Sequence, residues 1–374
     1  MRVGLDLHTL SGLRQGSRTY MANLAARLPY AAPDIDFVFY ATDPDAPAIR
    51  ALAPDAPNVT RRPIPPGRLA RLVAPFPARA AREVDVLHCQ YLGPLLGGPA
   101  CVVSIHDILH ETMPEFFPKG LGSLMRLCYP GNARRAARVL TISQFSRDAI
   151  VARYKVPPDR IAFAHLGVGE EFAPVRDPGA MTALRARLGI PDGPYILSVG
   201  RIEPRKNIPG LVAAYRILRE RLGENAPALV LAGGRDRLFA DFHARITADG
   251  GGAGLVFAGS VPQADLPALY CGAAVFAYPS FGEGFGLPVA EAMACGAPVV
   301  ASTAPAVPEV AAGAALLVDP RDPAGLADAL ARILTDPALA SDLSARGLAR
   351  ARELTWDPAV ALCLEAYRLA AEGK

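Results

Sequence analysis

The stretch VFAYPSFGEGFGLPVAEAMACGAPVVAS, residues 275–302, decides the fold. It opens with a short apolar run ending in Pro-Ser, passes through the glycine loop Gly282-Glu283-Gly284-Phe285-Gly286, and enters a helical pattern at Pro288, a favoured first helical residue. A second apolar run, PVVAS, closes it. The same alternation recurs along the chain, in RVGLDL (2–7), FVFYA (37–41), VLHC (86–89), CVVSIHD (101–107), VLTIS (139–143), YILSVG (195–200), ALVLAG (228–233), LVFAGS (255–260) and ALLVD (315–319). Continuous apolar strands alternating with helices predict parallel sheets covered on both faces.

The runs fall into two sets, separated by the polar passage EEFAPVRDPGA (170–180), which places a domain boundary near residue 177. The expected fold class is α/β: two doubly wound, Rossmann-like domains facing across a cleft, residues 1–177 and 178–355. The closing segment after Trp356, residues 356–374, has helical spacing and either packs back on the first domain or docks on its own. Ligands of such sheets sit at the carboxyl ends of the strands, so polar residues there are the candidates for function.

Composition narrows the classes. With 374 residues, 51% hydrophobic and 20% charged, the chain has apolar material for two cores, which excludes a disordered or stapled miniprotein. Its +3 net charge and 7% aromatic content argue against a nucleic-acid coat. That balance hides an asymmetry: residues 1–190 carry 23 basic and 16 acidic side chains, +7, which leaves 16 and 20, −4, for the remainder. Six cysteines without CxxC spacing indicate a reducing compartment and no metal cluster. The start, MRVGLDLHTL, lacks a signal-peptide core, and the uncharged stretch 86–106 is broken by Pro94, Gly97, Gly98 and Pro99, so a cytoplasmic protein is expected.

Two stretches of the second domain carry chemistry. Around Phe285, Gly286 and Leu287 the backbone amides should point outward at a helix N-terminus, a cradle for an anion, with Glu283 before it and Glu291 in the first turn of the helix. Carboxylates repel a phosphate but hold sugar hydroxyls well. The other stretch, ILSVGRIEPRKNIPGLVAAY (196–215), places Arg201, Glu203, Arg205, Lys206 and Asn207 at a strand's carboxyl end, where cations suit phosphates.

These two stretches resemble the retaining, nucleotide-sugar-dependent glycosyltransferases of family 4, which have the GT-B fold. The resemblance covers nearly the whole length and is most specific in the second domain. It implies that Arg201 and Lys206 grip the donor diphosphate and stabilise the leaving group, and that Glu283 faces the transferred sugar. It further implies that Glu291 binds ribose hydroxyls, that Phe285, Gly286 and Leu287 offer backbone donors, and that Val261 lies by the base. In the first domain Gly12 and Gly16 match the family's glycine turn, in a looser spacing, and His106 stands where the family places a His against the sugar and its phosphate. His88 and His110 compete with His106, while His165 and Ser143 are lesser cleft candidates. The wording around His106 and in GRIEPRKN is similar to bacterial polysaccharide mannosyltransferases, which points to mannose from GDP-mannose and to a hydroxyl of a glycan or lipid-linked acceptor.

No cofactor and no metal are expected. Asp34-Ile35-Asp36 and Asp43-Pro44-Asp45 have the DxD spacing of metal-dependent transferases but flank the second strand in a Pro-rich context. Residues 56–82 hold no acid and six arginines, Arg61, Arg62, Arg68, Arg71, Arg79 and Arg82, among apolar residues, which suits a peripheral contact with anionic membrane. A GT-B-type sugar-nucleotide 2-epimerase and a binding module without transfer are the alternatives.

Overall fold

The computed structural model describes residues 1–11, 16–65, 72–73, 76–95, 97–117, 121–175, 178–234 and 252–373. Arg68, Arg71 and Gly12 lie outside them. Two compact units emerge: Met1–Gly167 with Trp356–Lys374, and Val168–Thr355.

The first unit is built on seven strands, β1 (Arg2–Asp6), β2 (Asp36–Ala41), β3 (Val59–Pro63), β4 (Val86–Gln90), β5 (Ala100–Ser104), β6 (Arg138–Thr141) and β7 (Ile161–Phe163), in the order β3-β2-β1-β4-β5-β6-β7. In the second unit β8 (Tyr195–Val199), β9 (Ala228–Ala232), β10 (Leu255–Gly259), β11 (Val275–Tyr278), β12 (Val299–Ser302) and β13 (Leu316–Val318) lie in the order β10-β9-β8-β11-β12-β13. All pairings are parallel. The order reverses between β1 and β4 in one sheet and between β8 and β11 in the other, the switch points where ligands of doubly wound sheets bind. Both are therefore α/β, as the apolar runs predict. Every residue of β4 and β9 is buried, which explains the unbroken apolar reading of β9, while β4 also buries His88 and Gln90.

Strands β3 and β7 escape the run pattern. Segment VTRRP of β3 is half-exposed at a sheet edge, where two arginines and a proline are tolerated because only one neighbour is paired. Segment IAF of β7 is a three-residue edge. The strand Val59–Pro63 and the helix Phe76–Glu83 place parts of the basic stretch 56–82 in regular structure. Arg61 donates to the Leu52 carbonyl at 2.9 Å and lies over Phe39, and Arg79 lies over Phe76 at 5.6 Å, so both are structural. Arg62, Arg82 and Val73 are among the exposed residues of this stretch.

The division between units falls after Gly167 rather than near 177. The segment beyond it is tied to the second unit: Val168 N–H donates to Leu354 O at 2.9 Å, Phe172 packs edge-on to Tyr270, and Val175 N–H reaches Cys271 Sγ at 3.1 Å. At the other end, the helix Asp357–Ala371 belongs to the first unit, packed against the helix Gly16–Ala31 and β5. Its Tyr367 hydroxyl meets His88 Nδ1 at 2.6 Å, while His88 Nε2 meets Ser104 Oγ at 2.7 Å and the Tyr20 hydroxyl meets Ser104 at 2.9 Å. Among the described residues no helix is long and apolar enough to cross a membrane.

Trp356, 3% exposed, seats directly on Gly167, where an added Cβ would lie 2.5 Å from the indole and the Trp356 backbone nitrogen. Gly167→Ala should therefore destabilise the protein by about 1–3 kcal/mol through overpacking. Thermal melting checks it; an unchanged midpoint would mean that the seat has room.

Candidate active site

The carboxyl ends of β8 and β11, neighbours at the switch point, carry the two stretches singled out above. After β8 the chain turns through Gly200 and Arg201 into a single 3-10 turn, Pro204–Lys206. Asn207 then adopts φ 54°, caps the helix Ile208–Leu222 by accepting from Gly210 N–H, and donates to Pro279 O at 3.1 Å and Pro320 O at 2.7 Å. One amide side chain thus fixes the basic turn against the ends of two other strands. Phe281 N–H completes the tie on Arg205 O at 2.9 Å.

That placement brings Lys206 and Glu283 together. Lys206 Nζ donates to Glu283 Oε1 at 2.8 Å and to the Tyr278 hydroxyl at 2.7 Å, and sits 4.9 Å from the Tyr278 ring centroid. Arg205 takes the other carboxylate oxygen at 2.6 Å and holds Glu203 at 2.7 Å. Burial opposes the charge on Glu283, but the two cations overcome it and bring its pKa down to about 2. For Arg205, burial is likewise outweighed by Glu283 and Glu203, so its pKa stands above the ordinary range. Burial draws the Lys206 pKa down, opposed by Glu283.

Arg201 is exposed beyond β8, and the cation seen sharing Glu283 with Lys206 is Arg205. Phe285 is buried, Gly286 has φ 105° as the cap of the helix Leu287–Ala294, and Leu287 opens that helix half-buried. Glu291 lies in the second turn of this helix and not the first. It is buried and accepts from the Tyr270 hydroxyl at 2.8 Å, and burial raises its pKa to about 7 against that hydrogen bond, with Glu171 adding to the rise. Val261 is half-buried in the loop after β10.

In the first unit, Gly16 opens the helix Gly16–Ala31 and is exposed. His106 lies two residues past β5, buried, with its Nε2 3.0 Å from Gln90 Oε1 and Tyr20 and Tyr91 edge-on at 4.8 and 5.4 Å. Burial lowers its pKa to about 4. His88 is held in the core by Tyr367 and Ser104, with its pKa lowered by burial to about 3, which makes it structural. His110 packs on Tyr129, and Ser143 is the cap of the helix Gln144–Tyr154, accepting from Ser146 N–H at 3.1 Å. His165 lies beside Phe163, half-exposed. Of the DxD pairs, Asp45 binds Arg50 at 2.7 Å and Asp43 takes Asp45 N–H. Among the described residues no three metal-ligating side chains gather.

Sequence reading named Arg205 only as one cation of the basic turn, without its tie to Glu283, and missed Tyr278, Tyr270 and Gln90. Arg205 and Tyr278 had a signal, since one adjoins Lys206 and the other ends an apolar strand. The partnerships of Tyr270 and Gln90 cross 21 and 16 residues and leave no local pattern.

Two doubly wound sheets with a basic turn and a carboxylate-bearing glycine loop at one switch point define the class: a GT-B glycosyltransferase. The glycosyltransferase family 4 model matches residues 14–172 and the glycosyl transferases group 1 model matches residues 181–350. The chain is 36% identical over 271 residues to the O-antigen chain mannosyltransferase B of Escherichia coli, covering 72% of this chain and 70% of that one. It is 33% identical over 390 residues to a D-inositol 3-phosphate glycosyltransferase of Acidothermus cellulolyticus, covering 94% and 85%. In fold it is similar to sucrose-phosphate synthase from Thermosynechococcus elongatus, with TM-score 0.77 and 23% identity over the full length of both chains. The chain belongs to glycosyltransferase family 4.

Glu291 gives the pH prediction. Its pKa rises from the ordinary 4.5 to about 7 on folding, so its contribution as a neutral acid is complete below about 4.5 and is lost as pH rises through 7. Glu291→Gln keeps a neutral side chain at every pH. The variant should gain on the parent by on the order of 1–3 kcal/mol between pH 4.5 and 8. Melting curves across that range check this, and parallel curves would show that Glu291 is ionised throughout.

Proposed function

We propose that the chain transfers a hexosyl group, mannose from GDP-mannose, with retention of configuration to a hydroxyl of a glycan or lipid-linked acceptor in surface polysaccharide synthesis. The observation that carries the reading is the buried Lys206–Glu283 pair at the β8/β11 switch point, beside the start of the helix Leu287–Ala294. The E. coli O-antigen relative supports the sugar and the acceptor class.

In this reading the donor diphosphate lies against Lys206, Arg201 and the amides around Phe285, Gly286 and Leu287. Glu283 faces the transferred sugar, Glu291 takes the ribose hydroxyls, Val261 borders the base, and Gly16 and His106 serve the sugar end. As the bond to the sugar breaks, negative charge gathers on the departing diphosphate. Fixed cations and helix-end amides stabilise it without reorganising, and the diphosphate takes the proton of the incoming hydroxyl on the same face. Arg205 keeps Glu283 ionised, and Tyr278 aims the Lys206 ammonium. The reaction so written uses no metal.

A thermal-shift panel of GDP, UDP, dTDP and ADP with their sugars, each with and without chelator, tests the donor reading. Stabilisation of about 2.7 kcal/mol is expected for the true nucleotide at a hundredfold its Kd, unchanged by chelator. Lys206→Ala should cut transfer by about 10²–10³ while melting as a folded protein. No shift with any nucleotide, a shift that needs a divalent ion, or near-normal turnover of the variant would each overturn the part it reads. A changed nucleotide sugar released without acceptor would favour the epimerase.

We further infer a peripheral membrane contact through Arg62, Arg82 and Val73 of the first unit, each cation near an anionic surface being worth about 1 kcal/mol. Flotation with anionic vesicles should exceed that with neutral ones and fall with salt; equal binding to both would sink the contact.

A further inference from the structure

Gln90 ends β4, His106 follows β5, and Thr9 follows β1, three adjacent strands at the first unit's switch point. Gln90 is 3% exposed and His106 4%. Gln90 Nε2 is occupied by Thr9 Oγ1 at 2.8 Å, which leaves its Oε1 for His106 Nε2 at 3.0 Å. An amide oxygen only accepts, so the imidazole nitrogen facing it carries the proton; the proton is assigned from its partner. A neutral imidazole has one donor and one acceptor nitrogen, so Nδ1 is the acceptor. Among the described residues Nδ1 has no hydrogen-bond partner.

We propose that Gln90 is the positioning residue that locks His106 as the neutral, Nε2-protonated tautomer, so that Nδ1 serves as an acceptor for a substrate hydroxyl and not as a cation for the phosphate. The substrate half rests on the function proposed above; the tautomer half stands on the geometry alone.

The surroundings keep the ring neutral. Tyr20 from the helix Gly16–Ala31 and Tyr91 beyond β4 present ring edges, and Thr141 at the end of β6 donates to the His106 carbonyl at 3.2 Å. His88, on β4, is itself neutral at physiological pH because burial lowers its pKa to about 3. Asp107 accepts from Leu109 N–H at 3.1 Å. No ion pair to His106 is present among the described residues, and burial accordingly holds its pKa near 4. An unprotonated nitrogen repels a phosphate oxygen and attracts a hydroxyl proton, which is why the ring suits the sugar or the acceptor rather than the diphosphate.

The first measurement is histidine-selective ¹⁵N–¹H correlation spectroscopy on the whole chain, with His106 identified by loss of its signals in His106→Gln. The Nε2-protonated pattern is expected unchanged from pH 6 to 8; an Nδ1-protonated or charged ring would overturn the proposal, and this reading needs no substrate. Next come transfer kinetics of two variants. Gln90→Met removes the acceptor and should lower kcat by about tenfold, the value of one ordinary hydrogen bond. Gln90→Glu sets a carboxylate against Nε2, favours imidazolium, and should add an acid limb to the kcat profile in the neutral range, with activity recovering at higher pH. A merely structural role would lower melting in both variants without adding that limb. Wild-type kcat and pH profile in both would overturn the role of Gln90. Correct tautomer without any transfer would instead fault the function reading.

Discussion

The second unit depends on keeping Glu283 ionised in the protein interior. A buried carboxylate is costly unless it is paired and hydrogen-bonded. Here Arg205 and Lys206 each take one of its oxygens. Because both cations come from the turn after β8 and the carboxylate from the loop after β11, the same contacts that satisfy the charge also lock the two loops across the switch point. Removing either side would leave an uncompensated charge in a dry site. The loop conformation follows from this requirement, with Asn207 in a left-handed conformation and tied to Pro279 and Pro320 as the brace.

The first unit solves the opposite problem, burying polar rings without charge. Its histidines at the sheet's centre are neutral because desolvation outweighs any gain from protonation there, and each is oriented by hydrogen bonds instead. The chain from Tyr367 through His88 and Ser104 to Tyr20 runs from the C-terminal helix to the helix Gly16–Ala31. Tyr20 then meets His106 with its ring edge. Docking of the last helix therefore bears on the ring considered for substrate contact, and the seat of Trp356 on Gly167 fixes where that helix begins. One unit thus offers fixed charge and the other fixed, uncharged polarity.

Legibility in the sequence follows burial. Central strands such as VFAY and ALVLA are enclosed on both faces and read as unbroken apolar runs. Edge strand VTRRP, half-exposed, reads as a basic loop, and IAF is too short to show a pattern. The units divide at Gly167 although EEFAPVRDPGA has a linker's composition, because Phe172 and Val175 are held by Tyr270 and Cys271 of the second unit. Among the candidate residues, Lys206, Glu283 and Glu291 stand out in the sequence because each lies in a short motif next to a glycine loop or a helix start.

What the sequence by itself determined is the parallel two-sheet architecture and the placing of the candidate site residues at strand ends, since both are written in local patterns of apolar runs, glycines and charges. The tertiary structure decided the partnerships: that Arg205 shares Glu283 with Lys206, that Tyr270 meets a carboxyl whose pKa burial raises, that Gln90 faces His106, and that the last helix packs with the first sheet. Those contacts join residues that are distant in the chain or lie side by side in one basic turn. Their geometry and their protonation are set by burial and pairing, quantities that exist only once the chain has folded.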